Sequence, residues 1–225
     1  MTHLSTAMRE GSRAEHEAAE SSAFMATLLD GGIAPAGYVA YLARLRRVYE
    51  ALERVGRTLA ASGDAAAAAV HDPDLERLPA LDADLAHWAR GRATGGWAPG
   101  AAHDVHSPAT DAYVAAIEAS ASWGGAYAAH HYTRYLGDLS GGQAIGRVLR
   151  RHYDLAGDGV AFYDFAAVPR PKPYKDAYRA RLDALGLPPD QADRVVAEVQ
   201  HAFRLNQALF AELDEELGLT PAPTA

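Results

Sequence analysis

Apolar positions recur every three to four residues in nearly every long segment of this chain, and no segment alternates apolar and polar residues over the length of a strand. Segment 5–30 opens at Ser5, a favourable N-cap, and stops at Asp30-Gly31-Gly32, a C-terminal signal. Segment 36–61 follows Pro35 and carries the apolar stripe Tyr38, Tyr41, Leu42, Leu45, Val48, Tyr49, Leu52 and Val55. Further helices are predicted at about 74–90, 109–122, 125–153 and 174–185, and over 189–217 after Pro188. The stretches 91–108 and 156–172 read as irregular, alanine-rich 60–70 as helix-permissive, and the tail TPAPTA as frayed. With no repeat of about 20–50 residues and no compositional break, the pattern predicts one all-α domain of seven or eight helices. Its span is 1–225, with an ordered core over about 4–217 and a frayed tail at 218–225.

One segment breaks the rule its own periodicity sets. HHYTRYLGDLSGGQ at 130–143 is helical in pattern, yet it holds Gly137, Gly141 and Gly142 beside Arg134 and Asp138. Each interior glycine costs about 1 kcal/mol relative to alanine, so the segment forgoes roughly 3 kcal/mol of local preference. An i,i+4 salt bridge between Arg134 and Asp138, worth a few tenths of a kcal/mol, does not account for the glycines. Gly137 and Gly141 stand one turn apart and bare a strip of backbone, suited either to close helix packing or to the approach of a planar ligand. Ser140 and Asp138 add hydrogen-bonding groups at the same place, which packing alone would not require.

A second cluster lies near the N-terminus. Arg9, His16 and Glu20 are separated by seven and four residues. On one continuous helix they fall within about 40° of one another. Glu20 is placed to accept from a ring nitrogen of His16, as a metal-binding histidine requires. Taken alone, such a pair is more often a surface contact; Arg9 above it and the small residues Ser12, Ala19 and Ala23 beside it leave room for a bulky group. KPYKDAYRAR at 172–181 sets Lys175 and Arg179 on one helical face. By itself that is a solvated basic face; with Arg9 and the Tyr132 hydroxyl it could meet the carboxylates of an anionic ligand.

Composition narrows the chemistry. The chain has 225 residues and no cysteine, which excludes disulfides, thiolate ligands, cysteine-held clusters and thiol nucleophiles. A net charge of −8 argues against a broad nucleic-acid surface. No apolar run has the length of a membrane span, and the charged N-terminal stretch lacks the apolar segment of a signal peptide, so a cytoplasmic protein without membrane contact is expected.

Through His16 with Glu20, YTRYLGDLSGGQ at 132–143, KPYKDAYRAR and AFRLNQALFAEL at 202–213, the chain resembles the haem oxygenases, the soluble bacterial ones in particular, from Leu4 to about Leu217. The resemblance implies an all-α fold with haem between a proximal and a kinked distal helix. It also implies oxidative cleavage of haem, both substrate and cofactor, to biliverdin, CO and Fe²⁺, using O₂ and electrons from a ferredoxin or flavoprotein reductase. It assigns His16 as the iron ligand and Glu20 as its hydrogen-bond partner. Arg9, Lys175 and Arg179 become propionate partners, with Tyr132 beside them. Asp138 becomes the distal carboxylate, with Arg134 and Tyr49 in its network, and Gly137 and Gly141, next to Ser140, the strip that lies on the porphyrin and directs reaction to one meso carbon. Phe203 on the last helix is expected to touch the ligand. Arg9 departs from the lysine of many relatives but keeps the charge, and the C-terminal anchor of animal relatives has no counterpart. A haem carrier without turnover would need His16 and the basic residues but not Asp138 with the glycines. A thiaminase-like enzyme of the same architecture would need a cysteine nucleophile. A di-iron bundle needs two E-x-x-H motifs, and only Glu198–His201 fits.

Overall fold

The computed structural model describes residues 3–90 and 105–220, so most of the irregular stretch expected at 91–108 and residues 221–225 of the expected frayed tail lie outside the described residues. Two long amphipathic helices organise the rest: α4 (Pro35–Ala61) and α11 (Pro189–Leu217). Both begin on a proline, whose fixed φ and missing N–H suit the first helical position. The second ends at Gly218, whose φ of 64° is the left-handed cap that glycine adopts without strain. Every member of the stripe on α4 is buried. Arg44, only 1% exposed, crosses from α4 to Glu212 and Glu216 on α11, an ion-pair cluster that locks the two helices in register.

Shorter helices wrap this pair. They are α1 (Leu4–Gly11), α2 (Arg13–Glu20) and α3 (Ala23–Leu29), then α5 (Ala65–Val70), α6 (Leu78–Ala89) and α7 (Pro108–Ala119). After them come α8 (Gly124–His131), α9 (Gln143–His152) and α10 (Pro171–Asp183). Helix α11 packs on α1, α2, α3, α7 and α8; α4 packs on α6, α7 and α8. The described residues form a single all-helical domain.

Helix continuity differs from expectation at two places, and both bear on the site. Segment 5–30 is not one helix but three. The chain leaves helical geometry at Ser12, whose hydroxyl bonds back to the Met8 carbonyl at 2.8 Å, and again at Ser21-Ser22, where the Ser22 hydroxyl caps α3 by accepting from the Met25 amide. Serine competes for backbone partners in this way, and a pattern argument does not see it. Ser5 is not an N-cap either; its amide and hydroxyl both donate to Asp183 on α10, so this helix start is capped from a distant element. Between α8 and α9 the chain stays helical but widens into two π-helical turns, Tyr132–Leu136 and Asp138–Gly142. The expected count of seven or eight helices is therefore exceeded, chiefly because the first segment is subdivided.

Candidate active site

The widened segment, α1, α2 and α11 enclose a cavity of about 590 Å³, within the range of small-molecule sites. On one side stand Arg9, Ser12, His16, Ala19 and Glu20; on the other Tyr132, Arg134, Gly137, Asp138, Ser140 and Gly141; Phe203, Asn206 and Phe210 of α11 close one end. The break at Ser12 overturns the single-stripe argument, since Arg9 belongs to α1 and His16 to α2. The bend between these helices still brings all three residues to the same wall.

Gly137 and Gly141 explain themselves by what they lack. Both have ordinary helical backbone, so left-handed geometry is not the reason for glycine, and a Cβ built on either meets no atom within 4 Å. Their backbone faces the open cavity. Gly142 does different work: a Cβ there would lie 3.0 Å from the Tyr163 ring, and one on Gly146 would lie 2.9 Å from the Tyr163 Cβ. The glycines thus divide into a pair that bares a flat wall and a pair that admits the 161–163 turn close behind it. π-Turns inside α-helices recur at functional sites, and here they turn Asp138 and Gly137 toward the same space.

Across from that wall, His16 is half-exposed, with Nδ1 3.4 Å from the Glu20 carboxylate and its ring edge-on to Phe203 at 5.3 Å. Glu20 therefore favours the tautomer that leaves Nε2 as an acceptor or ligand. His130 offers no alternative, being fully buried and bonded to Glu198 at 2.9 Å. Among the described residues no group of three or more His, Cys, Asp or Glu side chains could hold a metal ion, so an iron here would bring most of its own ligands.

Asp138 is buried, and its carboxylate accepts from the Tyr49 hydroxyl and, at 3.4 Å, from Arg134. Burial pushes the carboxyl above its usual range, opposed by the Arg134 charge and the Tyr49 hydrogen bond. Arg134 also donates to Tyr49 at 3.2 Å and to the Asn206 side chain at 2.7 Å. Asn206 in turn donates to the Tyr113 hydroxyl at 3.2 Å. Tyr49 stands behind Asp138 and does not line the cavity. The Arg134–Asp138 pair is thus buried and networked, unlike the isolated helix-surface pair considered from spacing alone. At the mouth, Arg9 and Arg179 line the cavity, whereas Lys175 reaches it only through Ser140, to whose hydroxyl its ammonium donates at 2.9 Å. Arg179 contacts Asp176 at 3.3 Å, Arg9 contacts Glu10 at 2.9 Å, and the Arg9 and Arg179 charges both reach the Tyr132 hydroxyl.

A flat wall, a histidine facing it, a cationic mouth and room for a planar dianion fit haem. The comparisons with known proteins agree: the family model described as heme oxygenase matches residues 2–212. The chain belongs to the haem oxygenase family. Members of this family are oxidoreductases that degrade haem. The chain is 35% identical over 221 residues to heme oxygenase 1 of Homo sapiens, covering 95% of this chain and 73% of that protein. To heme oxygenase 2 of Synechocystis sp. it is 32% identical, covering 96% of this chain and 84% of that protein. The crystal structure of the Synechocystis protein with heme and NO superposes with a TM-score of 0.86 at 32% identity, covering 96% of this chain and 87% of that one. The heme oxygenase of Leptospira interrogans gives 0.84 at 34% identity, covering 94% and 100%. Among the cavity-lining residues that sequence reasoning missed are Arg13, Tyr41, Thr133, Tyr163, Asn206 and Phe210. Asn206 alone carried a signal, a polar residue within the apolar run Leu205, Leu209 and Phe210. Among the described residues no helix is long and apolar enough to cross a membrane.

Proposed function

We propose that this protein cleaves haem to biliverdin, CO and Fe²⁺, taking O₂ and electrons from a ferredoxin or flavoprotein reductase, and that its cavity is built for haem as both substrate and prosthetic group. The observation that carries the proposal is the bare backbone of Gly137 and Gly141 lining the same cavity as His16 and Asp138. A carrier gains nothing from a buried carboxylate and a glycine wall that costs helix stability.

The residues divide the work. His16 would hold the iron through Nε2, with Glu20 beside Nδ1 to orient its ring. Gly137 and Gly141 would let the macrocycle approach the helix backbone. Arg9, Lys175 and Arg179, with the Tyr132 hydroxyl and Ser140, would bind and orient the propionates. Phe203 packs edge-on against His16. Bound haem supplies the redox centre at which O₂ is reduced. Asp138, held by Tyr49 and Arg134, would keep water hydrogen-bonded on that side as a path for protons. A cytoplasmic location belongs to the same proposal, tested by fractionating the cells that make the protein.

The deciding experiment adds haemin to the purified protein, then ascorbate or a ferredoxin system, and follows the spectrum. Growth of the biliverdin band with loss of the Soret band is expected. A stable Soret band through many equivalents of reductant would make the protein a carrier.

A further inference from the structure

Helix α10 carries Lys175 and Arg179, yet the helix itself is lightly held. Of its thirteen residues only Tyr178 and Leu182 are buried. Tyr178 lies three residues after Lys175 and directly before Arg179, and its hydroxyl meets Nδ1 of His131 at 2.9 Å. Both groups are interior, Tyr178 fully buried and His131 only 1% exposed. His131 is the last residue of α8, and the first π-turn begins at the next position, Tyr132. Its imidazole lies nearly parallel to the Tyr178 ring, with 5.7 Å between centroids and 17° between planes. Another neighbour is Tyr135 at 4.3 Å, which in turn stands edge-on to Tyr49, the hydroxyl partner of Asp138. One buried histidine thus touches both the basic helix and the tyrosines that back Asp138.

Neither partner is charged at neutral pH. Burial, aided by the His71 and Arg181 charges, holds the imidazole well below its usual range, and burial holds the phenol well above its own. A hydrogen bond between neutral groups acts at short range and along set directions, so it fixes a register rather than merely holding two surfaces together. Helix α10 has other ties: Ser5 bonds to Asp183, Tyr174 to Asp72, Lys175 to Ser140 and Arg181 to the Ala69 carbonyl. All of these are exposed or half-buried; among the described residues the bond to His131 is the one buried hydrogen bond between α10 and another element. We propose that the His131–Tyr178 pair is a positioning device, setting the register of α10 against the glycine-bearing segment and with it the place where Lys175 and Arg179 hold a ligand's carboxylates. That this ligand is haem rests on the reading above; the register of the two helices does not. An asymmetric ligand gripped by its carboxylates turns with the groups that grip it, so a loosened α10 gives mixed orientations more than weaker binding.

Proton NMR of the ferric haem complex with cyanide separates haem orientations through the ring-methyl resonances, and chromatography separates biliverdin isomers. Tyr178→Phe keeps the ring and removes the hydroxyl; His131→Phe keeps a ring and removes the nitrogen. Each should shift the ratio of orientations roughly 2- to 10-fold, the equilibrium equivalent of one neutral hydrogen bond, with haem affinity within about twofold of the parent. The isomer ratio should move in the same sense. Both substitutions together should shift the ratios no further than either alone, since the same bond is lost. His131→Gln, which keeps a polar partner for Tyr178, should return them toward the parent. Parental ratios in both phenylalanine variants, or shifts that add in the double variant, would overturn the proposal and leave the pair a packing contact. Because Tyr178→Phe changes no ring, loss of the fold in His131→Phe would still leave the test standing. A parent protein that binds haem but forms no biliverdin would sink the haem-cleaving reading, with the methyl resonances still deciding the register.

Discussion

At the scale of single residues, Asp138 and His16 line the same cavity with different demands. Asp138 is 8% exposed and bonded to Tyr49 and Arg134, so removing its carboxylate leaves a buried guanidinium with only Tyr49 and Asn206. Asp138→Ala should therefore cost about 1–3 kcal/mol of stability, measured by denaturant unfolding, more than a surface pair would. It should also keep near-normal haem affinity, form little biliverdin and gain peroxidase-like oxidation of guaiacol, with Asp138→Asn as the isosteric control. Wild-type biliverdin yield from Asp138→Ala would dismiss the carboxylate from the chemistry. His16→Ala should shift the Soret band, abolish turnover and regain activity with added imidazole; an unchanged spectrum would place the ligand elsewhere. These residues were legible because each stood in a pattern that ordinary packing does not explain. Tyr41 was not, since a tyrosine on a core stripe looks the same whether its hydroxyl faces a neighbour or a cavity; Tyr163 was not, since it sits in a stretch that read only as irregular.

At the scale of elements, the glycines separate by what stands opposite them. Gly141→Ala adds a methyl to open space and recovers helix propensity, so the ligand-free protein should gain up to about 1 kcal/mol while haem affinity falls. Gly146→Ala meets the pinned Tyr163 at 2.9 Å and should lose roughly 1 kcal/mol or more despite the same propensity gain. Calorimetry of both variants, with and without haem, checks the pair; matching behaviour would dissolve the distinction. Asp84 pins the 161–163 turn by accepting from the Ala161 amide at 2.7 Å and the Phe162 amide at 2.8 Å, and this tie has a pH signature. Burial lifts its carboxyl from 3.8 to about 6, against the Phe162 and Ala161 amides that favour the anion. The folded state thus binds the proton more tightly than the unfolded one, so its contribution is fullest below pH 4 and is lost as pH rises to 6, up to roughly 3 kcal/mol in all. The stability of the parent relative to Asp84→Asn should therefore be greater at pH 5 than at pH 7.5, read from urea midpoints; a flat difference would remove the shift. Periodicity found the long helices nearly to the residue, α11 included, because proline and glycine mark their ends. It ran straight through Ser12 and Ser21-Ser22, since the side-chain bonds that break the helix there leave the apolar spacing intact.

At the scale of the whole molecule, a chain of net charge −8 must receive a dianionic ligand. The solution is local: Arg9, Arg13 and Arg179 gather on the cavity, drawn from α1, α2 and α10, with Lys175 behind Ser140. Neutralising Lys175 and Arg179 together should weaken haem binding by a few kcal/mol at most, at about 1.5–3 for each charge-assisted bond, because Arg179 is already shared with Asp176. The double variant should also yield mixed biliverdin isomers by chromatography. One isomer at parental affinity would reduce the pair to a solvated face. Fold class and ligand class were both readable from the sequence; the depth of the hydrogen-bond network was not, because Tyr49 and Asn206 reach Arg134, and Tyr113 reaches Asn206, from three separate helices.

The two wide turns at Tyr132–Leu136 and Asp138–Gly142 leave the chain with slack. A wide turn spends more residues on the same climb than an α-turn does, so this stretch holds spare length wound into the helix. Deleting one residue between Tyr132 and Gly142 would let a wide turn close to an α-turn while α9 keeps its phase against Tyr163. Such a deletion should therefore leave the fold intact and cost the cavity its wall, whereas a deletion in α9, which has no spare residue, should unseat Gly146 from Tyr163.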